Sequence, residues 1–331
     1  MADIVVLAEK GCVSSGIAGT LDAFSVANMW WLAMGEGNGQ PLFKPAIVTV
    51  DGKPVRENNG IELQPEMAID QVEKTDLIMV PALFPPFNLK NSRMEKICGW
   101  LKMRYASGDC IASTCTGAFI LAEAGLLNGK IATTNWQVAA LFRKLYPEVK
   151  LCVDQILTEE ANLICTGAFS AYLDLCLYII DRFGSPALAS QCTKSLLVDP
   201  DRCQAPYVIH GFWKNHADGQ VLKAQLWMEE NYSQKVSIDA LARDVGISPR
   251  QFARRFKHAT GETPVAYLQH LRIENAKKRL ETTLDTVNEI TWQVGYEDIN
   301  SFRRLFSKQT GLAPREYRKK FARPGHERVA Y

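Results

Sequence analysis

The sequence predicts two folds in succession: an α/β unit built on a parallel sheet, and then an all-α unit with two helix-turn-helix motifs. Strand-like apolar segments alternate with helix-like segments over the first two hundred residues, which is typical of a parallel sheet. The stretch from Val236 to Phe321 repeats itself at an offset of 50 residues, which indicates two copies of one supersecondary unit. Charge separates the same two parts, because residues from Gln220 onward carry 20 Lys and Arg against 13 Asp and Glu, and the residues before it carry 18 against 23. The second part therefore suits a polyanionic partner.

The α/β prediction rests on short apolar runs in a regular order. The first run, Ile4 to Ala8, is rich in β-branched residues, as buried parallel strands are. A glycine-punctuated loop from Gly11 to Gly19 is predicted to follow it. The remaining predicted elements are strands at 43–50, 76–80 and 110–114 and helices at about 20–33 and 88–106. Ligands of such sheets bind beyond the carboxyl ends of the strands.

Cys115 lies where a predicted strand passes directly into a helix through Gly117. This is the layout of a nucleophile elbow, in which a sharp turn exposes a side chain at the positive end of a helix. The helix N-terminus also favours a thiolate. The alternative is a small residue that fits a crowded turn, since cysteine is often buried and inert. The spacing leaves both interpretations open.

Composition argues against several classes of protein. All nine cysteines lie within the first 203 residues and none forms a C-x-x-C pair, which disfavours a disulfide framework or a zinc site and favours a reducing compartment. The five histidines form no H-x-x-x-H pattern, so no metal is predicted. No phosphate-cradling glycine motif follows a strand, so no cofactor is predicted. The N-terminus lacks the basic residues of a signal peptide, and no apolar run reaches the roughly 20 residues needed to span a bilayer. A cytoplasmic protein without a membrane partner is expected.

Each copy of the repeat reads as helix, tight turn, helix. In the first copy, apolar residues from Ile238 to Val245 recur at helical spacing and Gly246 ends the helix. Ser248 is placed to cap the next helix, and Gln251 three residues later predicts a capping box. The second copy repeats this order with Gly295 and a cap at Asp298, with one extra turn residue.

The outward faces of the second helices carry basic and polar residues once the paired phenylalanines are buried. Arginine, asparagine and serine side chains read base edges, while lysine and arginine neutralise phosphates. A solvated basic face is the simpler alternative for one copy, and two capped copies with matching faces disfavour it. The outward residues are Arg250, Arg254 and Lys257 in the first copy and Asn300, Ser301, Arg303, Arg304 and Lys308 in the second.

Two segments, LARDVGISPRQFARRFKHATGETPVAYLQHLRIENAKKRL and VGYEDINSFRRLFSKQTGLAPREYRKKF, resemble the DNA-binding domain of AraC/XylS-type transcriptional regulators. The resemblance implies double-stranded promoter DNA as the partner. It also implies that a long helix from Pro264 to about Glu281 sets the two motifs into successive major grooves, about 34 Å apart. Arg303 is expected to contact phosphates. The implied base-facing residues are Arg250, Ala253, Arg254, Ile299, Asn300, Ser301 and Arg304.

The segments STCTGAFILAEAGLLNGKIATTNW and ICTGAFSAYLDLCLYIIDRFG, with AGTLDAF before them, resemble the DJ-1/PfpI-like domain, a class I glutamine amidotransferase-like fold with a flavodoxin-like parallel sheet. Cys115 matches the nucleophile of that family. Asn135 stands where enzymatic relatives carry a histidine, and Gly16 where some carry an acidic residue. Since a nucleophilic thiol needs a base within hydrogen-bond reach, no catalytic residue is assigned and the unit is expected not to be an enzyme.

The pocket over the elbow is expected to hold a small effector. Its candidate residues are Cys115, Thr116, Asn135, Trp136 and Asp22. The family resemblance implies an amino-acid-like or quaternary ammonium metabolite, and tryptophans offer aromatic faces to a cation. Two alternatives stay open: a DJ-1/PfpI-like hydrolase or glyoxalase-type enzyme that uses Cys115, and a redox sensor that acts through oxidation of Cys115.

The predicted organisation is a sensing and dimerisation domain at 1–200, a linker at 201–218, a DNA-binding domain at 219–322 and a tail at 323–331. A homodimer is expected, with RNA polymerase as a further partner if the protein activates transcription.

Overall fold

The computed structural model describes residues 1–322 except 58, 201, 213 and 215. The chain divides into two units between Gln204 and Ala205, and each is described by itself below. The predicted tail at 323–331 lies outside the described residues. Within the described part of the chain, no helix is both long and apolar enough to cross a membrane.

The first unit is built on a seven-stranded sheet in the order β10-β11-β7-β6-β1-β2-β5. All neighbouring strands are parallel except β10, which runs antiparallel to β11. The central strands β6 and β7 are buried along their whole length, as strands covered on both faces are. The strands of this unit are β1 (Ala2–Leu7), β2 (Phe43–Thr49), β3 (Val55–Arg56), β4 (Glu62–Leu63), β5 (Met67–Ala68), β6 (Leu77–Val80), β7 (Cys110–Thr114), β8 (Ile131–Ala132), β9 (Lys150–Leu151), β10 (Leu157–Glu160) and β11 (Leu163–Thr166).

Helices flank this sheet in two groups. The helices α1, α5 and α6 pack against one another, and α2 packs against α3 and β7. The helices are α1 (Ser14–Ala33), α2 (Ser92–Ala106), α3 (Ala118–Glu123), α4 (Ala139–Leu145), α5 (Tyr172–Phe183) and α6 (Pro186–Ser195). The α/β prediction with a flavodoxin-like parallel sheet is thereby confirmed, and the four predicted strands lie within two residues of their expected ends.

The predicted loop from Gly11 to Gly19 is wrong from Ser14 onward. Helix α1 begins at Ser14, so Gly16 and Gly19 lie inside it. A β-carbon at residue 19 would lie 2.5 Å from the ring of Tyr172 on α5. Gly19 is therefore required by the close approach of two helices and does not mark a turn. The sequence pattern alone does not distinguish these two uses of glycine.

The predicted helix at 88–106 also begins later than expected. Its first helical residue is Ser92, because the side chain of Asn91 accepts a hydrogen bond from the Met94 backbone N–H at 2.9 Å and caps the helix. The short strands β3, β4, β5, β8 and β9 were not predicted, since two-residue strands leave no periodic signal.

The second unit contains seven α-helices within its described residues. They are α7 (Gly219–Asn231), α8 (Ile238–Asp244), α9 (Pro249–Thr260), α10 (Pro264–Thr282), α11 (Val287–Gln293), α12 (Ile299–Thr310) and α13 (Pro314–Phe321). The all-α prediction with two helix-turn-helix units, α8–α9 and α11–α12, is confirmed.

Helix α10 joins the two motifs by serving two hydrophobic cores. Its first half contributes Tyr267 and Leu271 to the core around the phenylalanines of α9. Its second half contributes Ile273 and Leu280 to the core around the phenylalanines of α12. In each core a tyrosine hydroxyl donates a hydrogen bond to a glutamate. Tyr267 donates to Glu229 at 3.0 Å, and Tyr317 donates to Glu281 at 2.7 Å. The internal repeat is thus a repeat of packing as well as of sequence.

Candidate nucleic-acid interface and effector site

The first motif holds α9 by a tight turn and a serine cap. Gly246 has a φ of 78°, in the left-handed region that favours glycine. The hydroxyl of Ser248 accepts a hydrogen bond from the Gln251 backbone N–H at 3.4 Å. Phe252 and Phe256 are fully buried. This packing leaves one face of α9 exposed, and it carries Arg250, Ala253, Arg254 and Lys257.

The capping box predicted at Ser248 and Gln251 is not formed. The hydroxyl of Ser248 donates instead to the side-chain oxygen of Gln251, at 3.2 Å. That oxygen is thereby engaged by the hydroxyl of the capping residue. The capping box occurs in the second motif, where the Thr286 backbone N–H donates to Glu289 at 2.6 Å and the Glu289 backbone N–H donates to Thr286 at 3.2 Å.

The second motif is fixed more tightly at its turn. Gly295 has a φ of 88°, and a β-carbon there would lie 2.8 Å from the backbone oxygens of Tyr232 and Ser233, so only glycine fits. The carboxylate of Asp298 accepts from the backbone N–H groups of Asn300 and Ser301, at 3.4 and 2.7 Å. Hydrogen bonds from Ser301 hold the pKa of Asp298 below its usual range, so the ionised cap is favoured.

The outward face of α12 carries the residues expected there. Phe302 and Phe306 are fully buried and point into the core. Asn300, Arg303, Arg304 and Lys308 are exposed, while Ile299 and Ser301 are half-buried at the start of the helix. Exposed guanidinium and amide groups on a capped helix can reach base edges and phosphates of a duplex.

Arg255 has a structural function that the sequence analysis missed. Its guanidinium donates to both carboxylate oxygens of Asp218, at 2.8 and 2.6 Å, and Asp218 also caps α7. The Arg255 guanidinium holds the pKa of the Asp218 carboxyl below its ordinary value. This ion pair ties α9 to the start of α7. The distance of 37 residues between the partners left no local signal.

Cys115 occupies a strained turn between β7 and α3. Its φ of 53° is uncommon for a residue with a side chain, and the thiol is buried with 4% of the residue exposed. A β-carbon at position 117 would lie 2.6 Å from the backbone oxygen of Val80 and 2.7 Å from that of Pro81. Gly117 is therefore needed for the helix to leave the strand so sharply. The elbow geometry expected from the sequence is present.

Hydrogen bonds hold the elbow to its neighbours. Thr116 exchanges hydrogen bonds with Leu83, whose backbone N–H donates to the threonine hydroxyl at 2.8 Å while the hydroxyl donates to the Leu83 carbonyl at 2.6 Å. The Thr134 hydroxyl donates to the Cys115 carbonyl at 2.8 Å. The side-chain amide of Asn135 donates to the Cys115 sulfur at 3.4 Å. Cys115, Thr116 and Asn135 thus come together.

The environment of the thiol disfavours the thiolate. Burial raises the pKa of Cys115, and the hydrogen bonds from Asn135 and Thr116 oppose this only in part. Val13 and Ala82 pack directly on the cysteine. None of the five histidines lies in the first 204 residues, and an asparagine amide does not take up a proton at neutral pH. Among the described residues, the side chains that hydrogen-bond the Cys115 thiol are those of Asn135 and Thr116, and neither acts as a general base at neutral pH.

The other two expected pocket residues lie at different depths. Trp136 follows Asn135 directly and is half-buried. Asp22 is exposed on α1, eight residues beyond the helix start at Ser14, which corresponds to about 12 Å along the helix axis. No described hydrogen bond or ion pair joins Asp22 to the elbow. Trp30 and Trp31 pack partly buried against the core, and the Trp30 indole N–H donates to Ser195 at 2.7 Å.

A cavity beside the elbow was not predicted. Its volume is about 430 Å³, and Glu9, Gly11, Arg93 and the segment 83–88 are among its lining residues. Leu83 connects it to the elbow through the hydrogen bonds with Thr116. Arg93 donates to Glu9 at 3.1 Å and to Asp51 at 2.9 Å, so it serves two carboxylates. Glu9 lies 84 residues and Asp51 lies 42 residues from Arg93 in the sequence, so no local pattern indicates this cluster.

Comparisons with known protein families match each unit of the chain to a different family. Residues 4–182 match the DJ-1/PfpI family, and residues 241–320 match the helix-turn-helix domain family. Among curated proteins, the chain is 27% identical over 285 residues to the HTH-type transcriptional regulator CdhR of Pseudomonas aeruginosa, covering 84% of this chain and 82% of that protein. It is 22% identical over 280 residues to the HTH-type transcriptional regulator GlxA of Rhizobium meliloti, covering 82% and 85%.

Solved structures share the fold of the first unit. A putative transcriptional regulator from Vibrio parahaemolyticus has a TM-score of 0.52 at 22% identity, covering 59% of this chain and 98% of that one. An AraC family transcriptional regulator from Pseudomonas putida has a TM-score of 0.51 at 17% identity, covering 59% and 100%. The chain belongs to the DJ-1/PfpI family and, through its AraC-type helix-turn-helix domain, is a DNA-binding transcriptional regulator.

Proposed function

We propose that a small metabolite bound in the first unit controls how α9 and α12 bind promoter DNA. The observation that carries the proposal is the duplicated recognition helix. In both copies a cap fixes the helix start, two phenylalanines are fully buried, and arginines remain exposed on the opposite face. Packing of this kind presents a rigid basic face, as a major groove requires.

We assign the exposed residues of the two helices either to phosphates or to base edges. Lys257, Arg303 and Lys308 are assigned to phosphates, which set affinity and salt dependence. Base edges are assigned to Arg250, Ala253 and Arg254 on α9 and to Ile299, Asn300, Ser301 and Arg304 on α12. The half-buried positions of Ile299 and Ser301 suit short contacts at the start of α12, where the helix enters a groove.

The first unit is proposed to sense and not to catalyse. A buried thiol with a raised pKa and an amide as its hydrogen-bond partner supports this assignment. The effector is placed over the elbow, with Cys115, Thr116, Asn135 and Trp136 as its contacts and Asp22 as an outlying candidate. An amino-acid-like or quaternary ammonium metabolite is the effector class that the family resemblance favours.

Assembly and output are further parts of the proposal. We assign the first unit to homodimer formation, and we place the protein in the cytoplasm as an activator that contacts RNA polymerase. The predicted boundaries at residues 200 and 218 stay predictions. They are compatible with the division of the chain between Gln204 and Ala205.

The experiment uses the full chain and duplex DNA selected by it from a random pool. Fluorescence anisotropy then compares the selected duplex with a scrambled duplex at one salt concentration. We expect specific binding to be at least about a thousandfold tighter, and affinity to fall steeply with added salt. Equal affinity for both duplexes would refute specific recognition. Addition of a metabolite extract that leaves the affinity for the selected duplex unchanged would refute effector control alone.

A further inference from the structure

Glu57 is a buried carboxylate that has no hydrogen-bond partner among the described residues. It follows β3 in the β3–β4 hairpin, and only 4% of the residue is exposed. Neither of its carboxylate oxygens has a hydrogen-bond partner among the described residues. Burial of an unpaired carboxylate is costly, and nearly all buried polar side-chain atoms in proteins are hydrogen-bonded. The two orphaned oxygens therefore require an explanation.

The hairpin that carries Glu57 is anchored to the start of α1, which adjoins the elbow. The Glu57 backbone N–H donates to Ile61 at 2.8 Å and closes the hairpin turn. The side-chain amide of Asn59 donates to the hydroxyl of Ser14, the first residue of α1, at 2.6 Å. Ser14 directly follows Val13, which packs on Cys115. Glu57 is thus attached to the same edge of the sheet as the elbow, where ligands of such sheets bind.

No positively charged group is among the causes of the shifted pKa of Glu57. The guanidinium of Arg93 is held by Glu9 and Asp51. The charge of Glu9 acts on Glu57, and both glutamates act on Cys12. Among the described residues, the charged group that acts on Glu57 is thus the Glu9 carboxylate, and no cation pairs with it. A ligand that brings a cation would complete the site.

We propose that Glu57 binds the cationic group of the effector, and that this group carries N–H donors, as a primary ammonium or a guanidinium does. The proposal rests on the effector control proposed above and narrows the class of effector. Two orphaned acceptor oxygens need hydrogen-bond donors, which a quaternary ammonium lacks. A metal ion is disfavoured because the described residues contain no group of three or more metal-ligating side chains. The packed Trp30 and Trp31 are engaged in the core, so they do not form an aromatic cage for a quaternary cation.

Binding of a cation at Glu57 should depend on pH and release a proton. Burial, and then the charge of Glu9, raises the pKa of Glu57 to about 7. Below pH 7 the carboxyl is neutral, and pairing with an ammonium releases one proton from it. The groups that face it are Glu9, whose carboxylate is paired with Arg93, and Cys12, whose pKa is raised by burial so that it stays a thiol. Affinity should therefore fall as the pH drops through 7, by up to tenfold per pH unit.

The test measures binding to the full chain by titration calorimetry. The probes are methylammonium, L-lysine and agmatine, with tetramethylammonium and Nε-trimethyl-L-lysine as their matched quaternary counterparts. The comparisons are methylammonium with tetramethylammonium, L-lysine with Nε-trimethyl-L-lysine, and agmatine with tetramethylammonium. In at least one of them, we expect the N–H probe to bind the native chain at least tenfold more tightly at pH 8. Glu57→Gln should weaken that binding at least tenfold. At pH 6, runs in two buffers with different ionisation enthalpies should reveal the released proton.

Glu62→Gln is the control, because Glu62 is an exposed carboxylate in the same hairpin. It should bind the probe as the native chain does. Equal binding by Glu57→Gln, preference for the quaternary probes, or no binding by any N–H probe would overturn the proposal. DNA binding by the same preparations distinguishes a failure of the proposed function from a failure of the Glu57 proposal. If the native chain does not bind DNA specifically, the proposed function is refuted. If it binds DNA specifically but the probe test fails, only the assignment of Glu57 to the effector is refuted.

Discussion

The two units of this chain use charged and reactive side chains in opposite ways. The first unit buries its distinctive groups, with Cys115 and Glu57 each only 4% exposed. The second unit buries paired phenylalanines on α9 and α12 and exposes Arg254 and Arg304 on the opposite faces of these helices. A buried group without a partner is costly, and a ligand that hydrogen-bonds to it removes this cost. An exposed arginine can bind the phosphates of a nucleic acid directly. The difference separates a unit suited to sensing from a unit suited to reading DNA.

The largest effect is expected from crowding the elbow of the first unit. Gly117→Ala places a β-carbon against the backbone oxygens of Val80 and Pro81, at 2.6 and 2.7 Å, so β6 and α3 must separate. We expect a loss of about 3 kcal/mol in the free energy of unfolding, measured by urea denaturation. Gly99→Ala on α2 is the matched control, because its β-carbon meets nothing within 4 Å. That variant should gain up to about 1 kcal/mol. Similar changes in both variants would contradict the crowded elbow.

A smaller effect, of opposite sign, is expected at Glu57. Its pKa is raised from the ordinary 4.5 to about 7 in the folded state, so above pH 7 the fold must hold a buried charge. Glu57→Gln should therefore raise the free energy of unfolding by roughly 1–3 kcal/mol at pH 8. The advantage should shrink as the pH falls from 7 and disappear below about 4.5, where the carboxyl is protonated in both states. Thermal unfolding at a series of pH values measures this. A variant that is less stable than the native chain at pH 8 would show that the ionised carboxylate is stabilised after all.

The smallest effect is expected from oxidants and alkylating reagents at the elbow. Burial limits access to Cys115 and raises its pKa, while Cys152 is half-buried. At pH 7 iodoacetamide should label Cys152 faster than Cys115 by roughly an order of magnitude or more. Mass spectrometry of digested protein at timed intervals gives both rates. Faster labelling of Cys115, or peroxide-dependent DNA binding, would restore the enzyme or redox-sensor alternatives.

The sequence was sufficient wherever the signal was local or repeated. The phenylalanine and arginine positions of α9 and α12, the left-handed Gly246 and Gly295, and the elbow at Cys115 all follow from short-range patterns. Such patterns encode which face of a helix is buried, so the exposed basic faces could be predicted before the fold was known.

Contacts between distant residues account for what the sequence did not predict. Gly19 is a glycine because Tyr172 packs against it, and Arg255 pairs with Asp218 across 37 residues. Glu57 looks like an ordinary loop glutamate in the sequence, and only the folded hairpin, which Asn59 ties to Ser14, shows that it is buried. Its lack of a partner is a property of the folded surroundings, so no spacing rule can indicate it.

The most direct test of the account asks whether α9 and α12 read two separate stretches of one DNA duplex. Sites are selected from a random duplex pool by the native chain, by Arg254→Ala and by Arg304→Ala, with Lys223→Ala on α7 as a control of equal charge change. We predict that the native site contains two conserved segments about one helical turn apart. Each arginine variant should lose about 1–3 kcal/mol and relax sequence preference in one segment only, a different one for each variant. A uniform loss across both segments, or a loss no larger than that of Lys223→Ala, would contradict recognition by the two helices.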